Sequence, residues 1–151
     1  SFYMSTNVGK PAKPISKIAS SSELSRMMLA LKGIISKHQG ITSIIFDEVD
    51  TGVSGRVAQA IAEKIANISR SSQVLCITHL PQVAAMADQQ LLIEKEVMGK
   101  RTMTKLTEVT GQNRVQELSR MMSGLEITTL TLEHATELLS IAEQRKKLSH
   151  V

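Results

Sequence analysis

Ile41-Thr42-Ser43-Ile44-Ile45-Phe46-Asp47-Glu48-Val49-Asp50 is the stretch whose reading decides the fold. Its run of β-branched and aromatic side chains predicts a strand buried on both faces. The strand delivers adjacent carboxylates, Asp47 and Glu48, to its carboxyl end, where open α/β sheets place their chemistry. Two ionised groups at the mouth of an apolar strand need a cation, hydrogen-bond donors or water to offset their desolvation. A Mg2+ ion beside one carboxylate and a water on the other meets both needs. That is the logic of nucleotide hydrolysis, with Asp47 holding the metal and Glu48 orienting and deprotonating the attacking water. For the pair alone, a strand that merely ends in acids is the plain alternative.

Downstream, Thr51-Gly52-Val53-Ser54-Gly55 predicts a tight turn, and Val57, Ala58, Ile61, Ile65 and Ile68 recur at helical spacing. Ser69 to Ser72 is polar punctuation before a second apolar strand, Gln73 to Thr78, which ends at His79. Val83 to Asp88 predicts a short helix, and Gln90 to Val97 with Arg101 to Val109 predicts a hairpin about Met98-Gly99-Lys100. Strand, helix, strand, helix with short connections implies an α/β fold with a mostly parallel sheet flanked by helices and a right-handed crossover. If the two strands are neighbours, His79 reaches the site of Asp47 and Glu48. Its imidazole can then donate a hydrogen bond to a γ-phosphate.

Upstream, Leu24, Met27, Met28, Leu31 and Ile35 mark a helix that Ser20 and Glu23 cap and Gln39-Gly40 ends. Its amino end, in the run Ser20-Ser21-Ser22-Glu23, offers backbone N–H groups and hydroxyls to an anion. Asn7 to Pro14 reads as a loop, and Ser1 to Thr6 as the end of a strand whose beginning is missing, as in a fragment. Past Thr110 the chain turns helical. Asn113 and Gln116 are candidate caps, Gly124 is a stop, and Leu132, Ala135, Leu138, Leu139 and Ala142 line one face of a last helix with a basic, fraying end.

The 151 residues fit one domain, and 42% apolar with 21% charged residues is ordinary for a globular protein. With no Trp, one Tyr and two Phe, there is little material for an aromatic platform for stacking bases. A formal charge of +4 permits a phosphate-rich partner. Lys10, Lys13 and Lys17 near the start, and Arg145, Lys146 and Lys147 near the end, read first as solvated surface. The single cysteine, Cys76, excludes an internal disulfide and reads as a small core residue. No apolar run approaches the ~20 residues of a membrane span and no signal peptide opens the chain, so a cytoplasmic protein is expected. A phosphate-binding loop is missing: Gly9-Lys10 runs into Pro11 and Gly99-Lys100 into Arg101, neither with the required glycine upstream.

Three blocks in this order carry a resemblance: Ser20-Ser21-Ser22-Glu23-Leu24-Ser25-Arg26, then Asp47-Glu48-Val49-Asp50-Thr51-Gly52-Val53-Ser54-Gly55, then Thr78-His79-Leu80-Pro81-Gln82. Together they resemble the carboxyl-terminal part of an ABC-type ATPase head, and more narrowly the SMC-related heads of bacterial DNA double-strand-break repair. The resemblance covers nearly the whole chain, residues 1–151. It implies ATP and Mg2+ as ligands, with the phosphate loop in an amino-terminal half of the same head, beyond a long coiled coil. It implies that Asp47 is the Walker B magnesium residue, Glu48 the catalytic base, His79 the switch histidine, and Thr51, Gly52, Val53 and Ser54 the D-loop. Ser20 to Glu23 matches the signature motif, which in the family reaches ATP on the second head of a homodimer. Expected partners are thus the amino-terminal half, a second head and DNA, with no membrane and a nucleoid-associated location. Ser21 and Ser22 depart from the family, which has glycines there. Serine adds bulk where the backbone approaches the γ-phosphate, and this implies weakened head dimerisation with fold and Mg2+ site kept. The alternatives are a non-catalytic module binding DNA or a partner, and the head fragment of another ABC or SMC relative.

Overall fold

The computed structural model describes residues 3–4, 13–14, 21–39, 42–47, 49–50, 52–99, 101–124 and 126–148; within these, the side chains of 3, 4, 13, 14, 21, 22, 24, 25 and 35–39 are outside the description. Its elements in order are β1 (Tyr3–Met4), β2 (Lys13–Pro14), α1 (Ser21–Gln39), β3 (Ser43–Asp47), α2 (Gly55–Ile68), β4 (Gln73–Ile77), α3 (Pro81–Met86), β5 (Gln90–Met98), β6 (Arg101–Val109), α4 (Gly111–Ser123) and α5 (Thr129–Leu148).

The parallel α/β unit expected from the sequence is β3-α2-β4. The strands pair in parallel from Ser43 opposite Gln73 to Asp47 opposite Ile77. β5 and β6 form the predicted antiparallel hairpin, with Gln90 opposite Val109 and Met98 opposite Arg101. Lys13 and Pro14, expected in a loop, pair antiparallel with Met4 and Tyr3.

The apolar stripe of α2 (Ile61, Ala62, Ile65, Ile68) buries against Ile44 and Phe46 of β3, together with Val83 to Met86 of α3, Val115 and Leu118 of α4, and Ala135 and Ala142 of α5. Gly33 lets α1 approach α2 closely, since a β-carbon there would stand 3.3 Å from Ile68 Cδ1. β3 is buried on one face only, contrary to the two-faced burial expected. Ile44 and Phe46 point into the core, whereas Ile45 is 61% exposed and its neighbours Leu75 and Ile77 on β4 are 48% and 49% exposed. The physical reason is that alternate side chains leave a sheet on opposite faces, and among the described residues helices cover one of them. Cys76 is likewise only partly buried, packed against the core from β4.

Two helix boundaries shift. α4 starts at Gly111, because the carbonyl of extended Thr110 accepts from the N–H groups of Asn113 and Arg114; Asn113 lies inside the helix. α3 starts at Pro81, whose missing N–H suits a first helical position. The basic end of the chain is not a frayed tail up to Leu148. Arg145 pairs with Glu63 of α2, and Lys146 pairs with Asp88 at 3.3 Å and Glu143 at 2.7 Å. No described helix is long and apolar enough to cross a membrane.

Candidate functional site

The register of β3 against β4 builds the site. Because Asp47 sits opposite Ile77, the residues after each strand, Val49-Asp50 and Thr78-His79, emerge at the same carboxyl edge of the parallel pair. Asp47 is exposed there. The chain then turns, with Val53 N–H donating to the Asp50 carbonyl at 3.2 Å. Gly52 holds the turn at a φ of 71°, a left-handed conformation that a β-carbon disfavours. Ser54 follows as the extended N-cap of α2, and its hydroxyl makes no capping bond.

Asp50 organises the two loops. It is fully buried. The Thr78 hydroxyl donates to its Oδ2 and accepts from the backbone N–H of Leu80 at 3.0 Å. His79 Nδ1 stands 3.7 Å from Asp50 Oδ1, which is ion-pair reach but too long for a hydrogen bond. Asp50 Oδ1 and Gln82 Oε1 are the buried side-chain oxygens without a hydrogen-bond partner among the described residues. An unmet buried acceptor costs about 1–3 kcal/mol, so two of them after β3 and β4 mark an edge where donors are wanted. Burial first, and then the Asp50 charge, push the Cys76 thiol up to about 11.

Of the residues singled out from the sequence, Asp47, Gly52, Val53, Ser54 and His79 lie along this edge. Glu48, Thr51 and Ser20 lie outside the described residues. Ser21 and Ser22 begin α1 with Glu23 in its first turn. No cluster of three or more His, Cys, Asp or Glu capable of holding a metal occurs among the described residues. A lone exposed carboxylate still suits Mg2+, which commonly takes one or two protein carboxylates and completes its shell with phosphates and water. Asp50 and Thr78 carried no role in the sequence reading. The sequence offered only an acid three residues beyond the strand and a Thr just before the His. An open groove of about 470 Å³ along α5, lined by Thr129, Leu132, Glu133, Thr136, Glu137 and Ser140, lies on a different element and gathers none of these groups.

No protein-family profile matches the chain. It is 61% identical over 145 residues to the DNA repair protein RecN of Halalkalibacterium halodurans, an alignment covering 96% of the chain and 26% of that protein. It is also 61% identical to RecN of Bacillus subtilis over 145 residues, covering 96% and 25%. RecN of Treponema pallidum is 44% identical over 146 residues, covering 97% and 26%. The chain thus spans about a quarter of the length of the curated relatives it matches. Among solved structures, one from work on ATP-driven dimerisation and DNA-stimulated activation of SMC ATPases superposes with a TM-score of 0.51 at 22% identity, over 76% of this chain and 68% of that one. That likeness bears on the fold alone.

Proposed function

We propose, from the premise that the chain belongs to the RecN family of DNA repair proteins, that it is the carboxyl-terminal half of an SMC-like ATPase head serving DNA double-strand-break repair. The observation that carries the reading is the parallel pairing of β3 with β4, which brings Asp47 and His79 to one edge. Asp47 is the residue that would hold Mg2+. When bound, the ion neutralises charge on the phosphates. Glu48, next in sequence, accepts a proton from the attacking water, and His79 contacts the terminal phosphate. Gly52, Val53 and Ser54, with Thr51, form the D-loop facing a second head, and Ser20 to Glu23 the signature segment offered to that head's ATP. The phosphate cradle comes from an amino-terminal segment, which suits a sheet whose second face is apolar and, among the described residues, uncovered: Ile45, Leu75 and Ile77 are all about half exposed or more. The site of action is the cytoplasm, at the nucleoid.

At the carboxyl end, Arg145 and Lys146, which the reading as a DNA-binding module presents to DNA, are paired with acids of this chain. In the full-length protein, Glu48→Gln is expected to retain ATP while turnover falls roughly a hundredfold, the range for loss of a general base. Measured steady-state hydrolysis at the unsubstituted rate removes Glu48 from the base role.

A further inference from the structure

We propose that Asp50 is a positioning residue for His79, clamping the Nδ1 edge of the imidazole so that Nε2 is the atom turned outward to the terminal phosphate. The inference rests on the reading of His79 given above and adds a group which that reading does not use.

Asp50 is fully buried, and Thr78 occupies one of its two oxygens. The other oxygen, Oδ1, has no hydrogen-bond partner among the described residues. A buried carboxylate oxygen in that state calls for a donor. His79 Nδ1 lies 3.7 Å away, and the ring is 63% exposed, which leaves solvent space for a small rotation that closes the gap. Long donor–acceptor distances of this kind tighten when a site is loaded. The imidazole has two distinct nitrogens: with Nδ1–H held by Asp50, Nε2 donates to the phosphate as the imidazolium, protonated on both nitrogens when ATP is bound.

The clamp also joins two loops. Asp50 begins the turn after β3, through its carbonyl on Val53 N–H, while Thr78 and His79 form the loop after β4. A displacement of residues 50–54 by a second head therefore moves the carboxylate that holds the imidazole. The competing account is purely structural, with Asp50 serving only to anchor Thr78. Asn at position 50 keeps an oxygen for the Thr78 hydroxyl but presents an NH2 group, a donor, to His79.

The test uses the full-length protein and ATP. Asp50→Asn is expected to lower kcat roughly tenfold or more with KM for ATP within about twofold, as loss of an orienting partner does. Combined with His79→Ala, it is expected to add no further loss, since both substitutions remove one unit. An unchanged kcat in Asp50→Asn, or additive losses in the double variant, overturns the positioning role while a slow His79→Ala leaves the reading of His79 standing. Normal turnover in His79→Ala fails that reading first and this proposal with it. Should Asp50→Asn not fold, nitrogen-15 NMR of the histidine-labelled unsubstituted protein decides. The His79 signal, identified by its loss in His79→Gln, is expected to carry a proton on Nδ1. A ring protonated on Nε2 alone overturns the proposal.

Discussion

Cys76 shows how far the edge chemistry reaches into the strand. Desolvation and the neighbouring Asp50 charge both raise its thiol, from 9.0 to about 11. The sign follows directly. Below pH 9 the folded and unfolded chains both keep the proton and stability is flat in pH. Between about 9 and about 11 the unfolded chain releases it first, so stability falls with rising pH, and above that range it is flat again. At pH 8 the native thiolate fraction is roughly a hundredfold below that of the unfolded chain, so a disulfide reagent should label native Cys76 correspondingly slowly. Equal labelling rates in buffer and in denaturant would contradict this. At this scale the positions of Asp47 and His79 were legible: each stands at the end of an apolar run, and the parallel pairing of the runs brings both to one edge. Asp50 was opaque, because its burial comes from the turn folding back onto Thr78, a contact across 28 positions that no local pattern encodes.

Among the elements, α3 depends on α4 for its carboxyl end. Six residues cannot satisfy their own terminal carbonyls, and Arg114 reaches across from α4 to do so. Its Nη2 donates to the carbonyls of Ala84 at 3.0 Å, Ala85 at 3.2 Å and Ala87 at 2.7 Å, and its Nε donates to Gln90 Oε1 at 3.2 Å. Burial lowers the Arg114 pKa, opposed by the charges of Glu143 and Asp88. A lysine carries a point charge in place of this planar fork, so Arg114→Lys should cost about 1–3 kcal/mol, seen as a lower urea midpoint. Arg114→Met should cost at least as much, and an unshifted midpoint in both would refute the capping role. The helices themselves were legible, since Ile61, Ile65 and Ile68, or Ala135 and Ala142, recur with the period of the core face. Their ends were less so. The start of α4 is fixed by the extended backbone of Thr110, and the basic end of α5 is pinned by Glu63 and Asp88, which are distant in sequence.

For the whole molecule the decisive feature is the face of β3 and β4 that no described helix covers. An apolar run reads as buried on both sides, whereas among the described residues only one side is covered. Ile45 and Leu75 are cross-strand partners on the bare side. If an amino-terminal segment of the same head packs there, as proposed, the two side chains are surface residues in the chain alone and core residues in the intact protein. Leu75→Ala should then shift the stability of the isolated chain by about 0.5 kcal/mol or less but cost the intact protein roughly 2–5 kcal/mol, the range for a buried large-to-small change. Urea denaturation of both forms measures the contrast. The same small shift in both would mean that the face stays open in the whole protein, and the split-head reading would then lose its structural support. A large loss confined to the intact protein would instead place the second half of the sheet against Ile45 and Leu75, directly beside the edge that carries Asp47, Asp50 and His79.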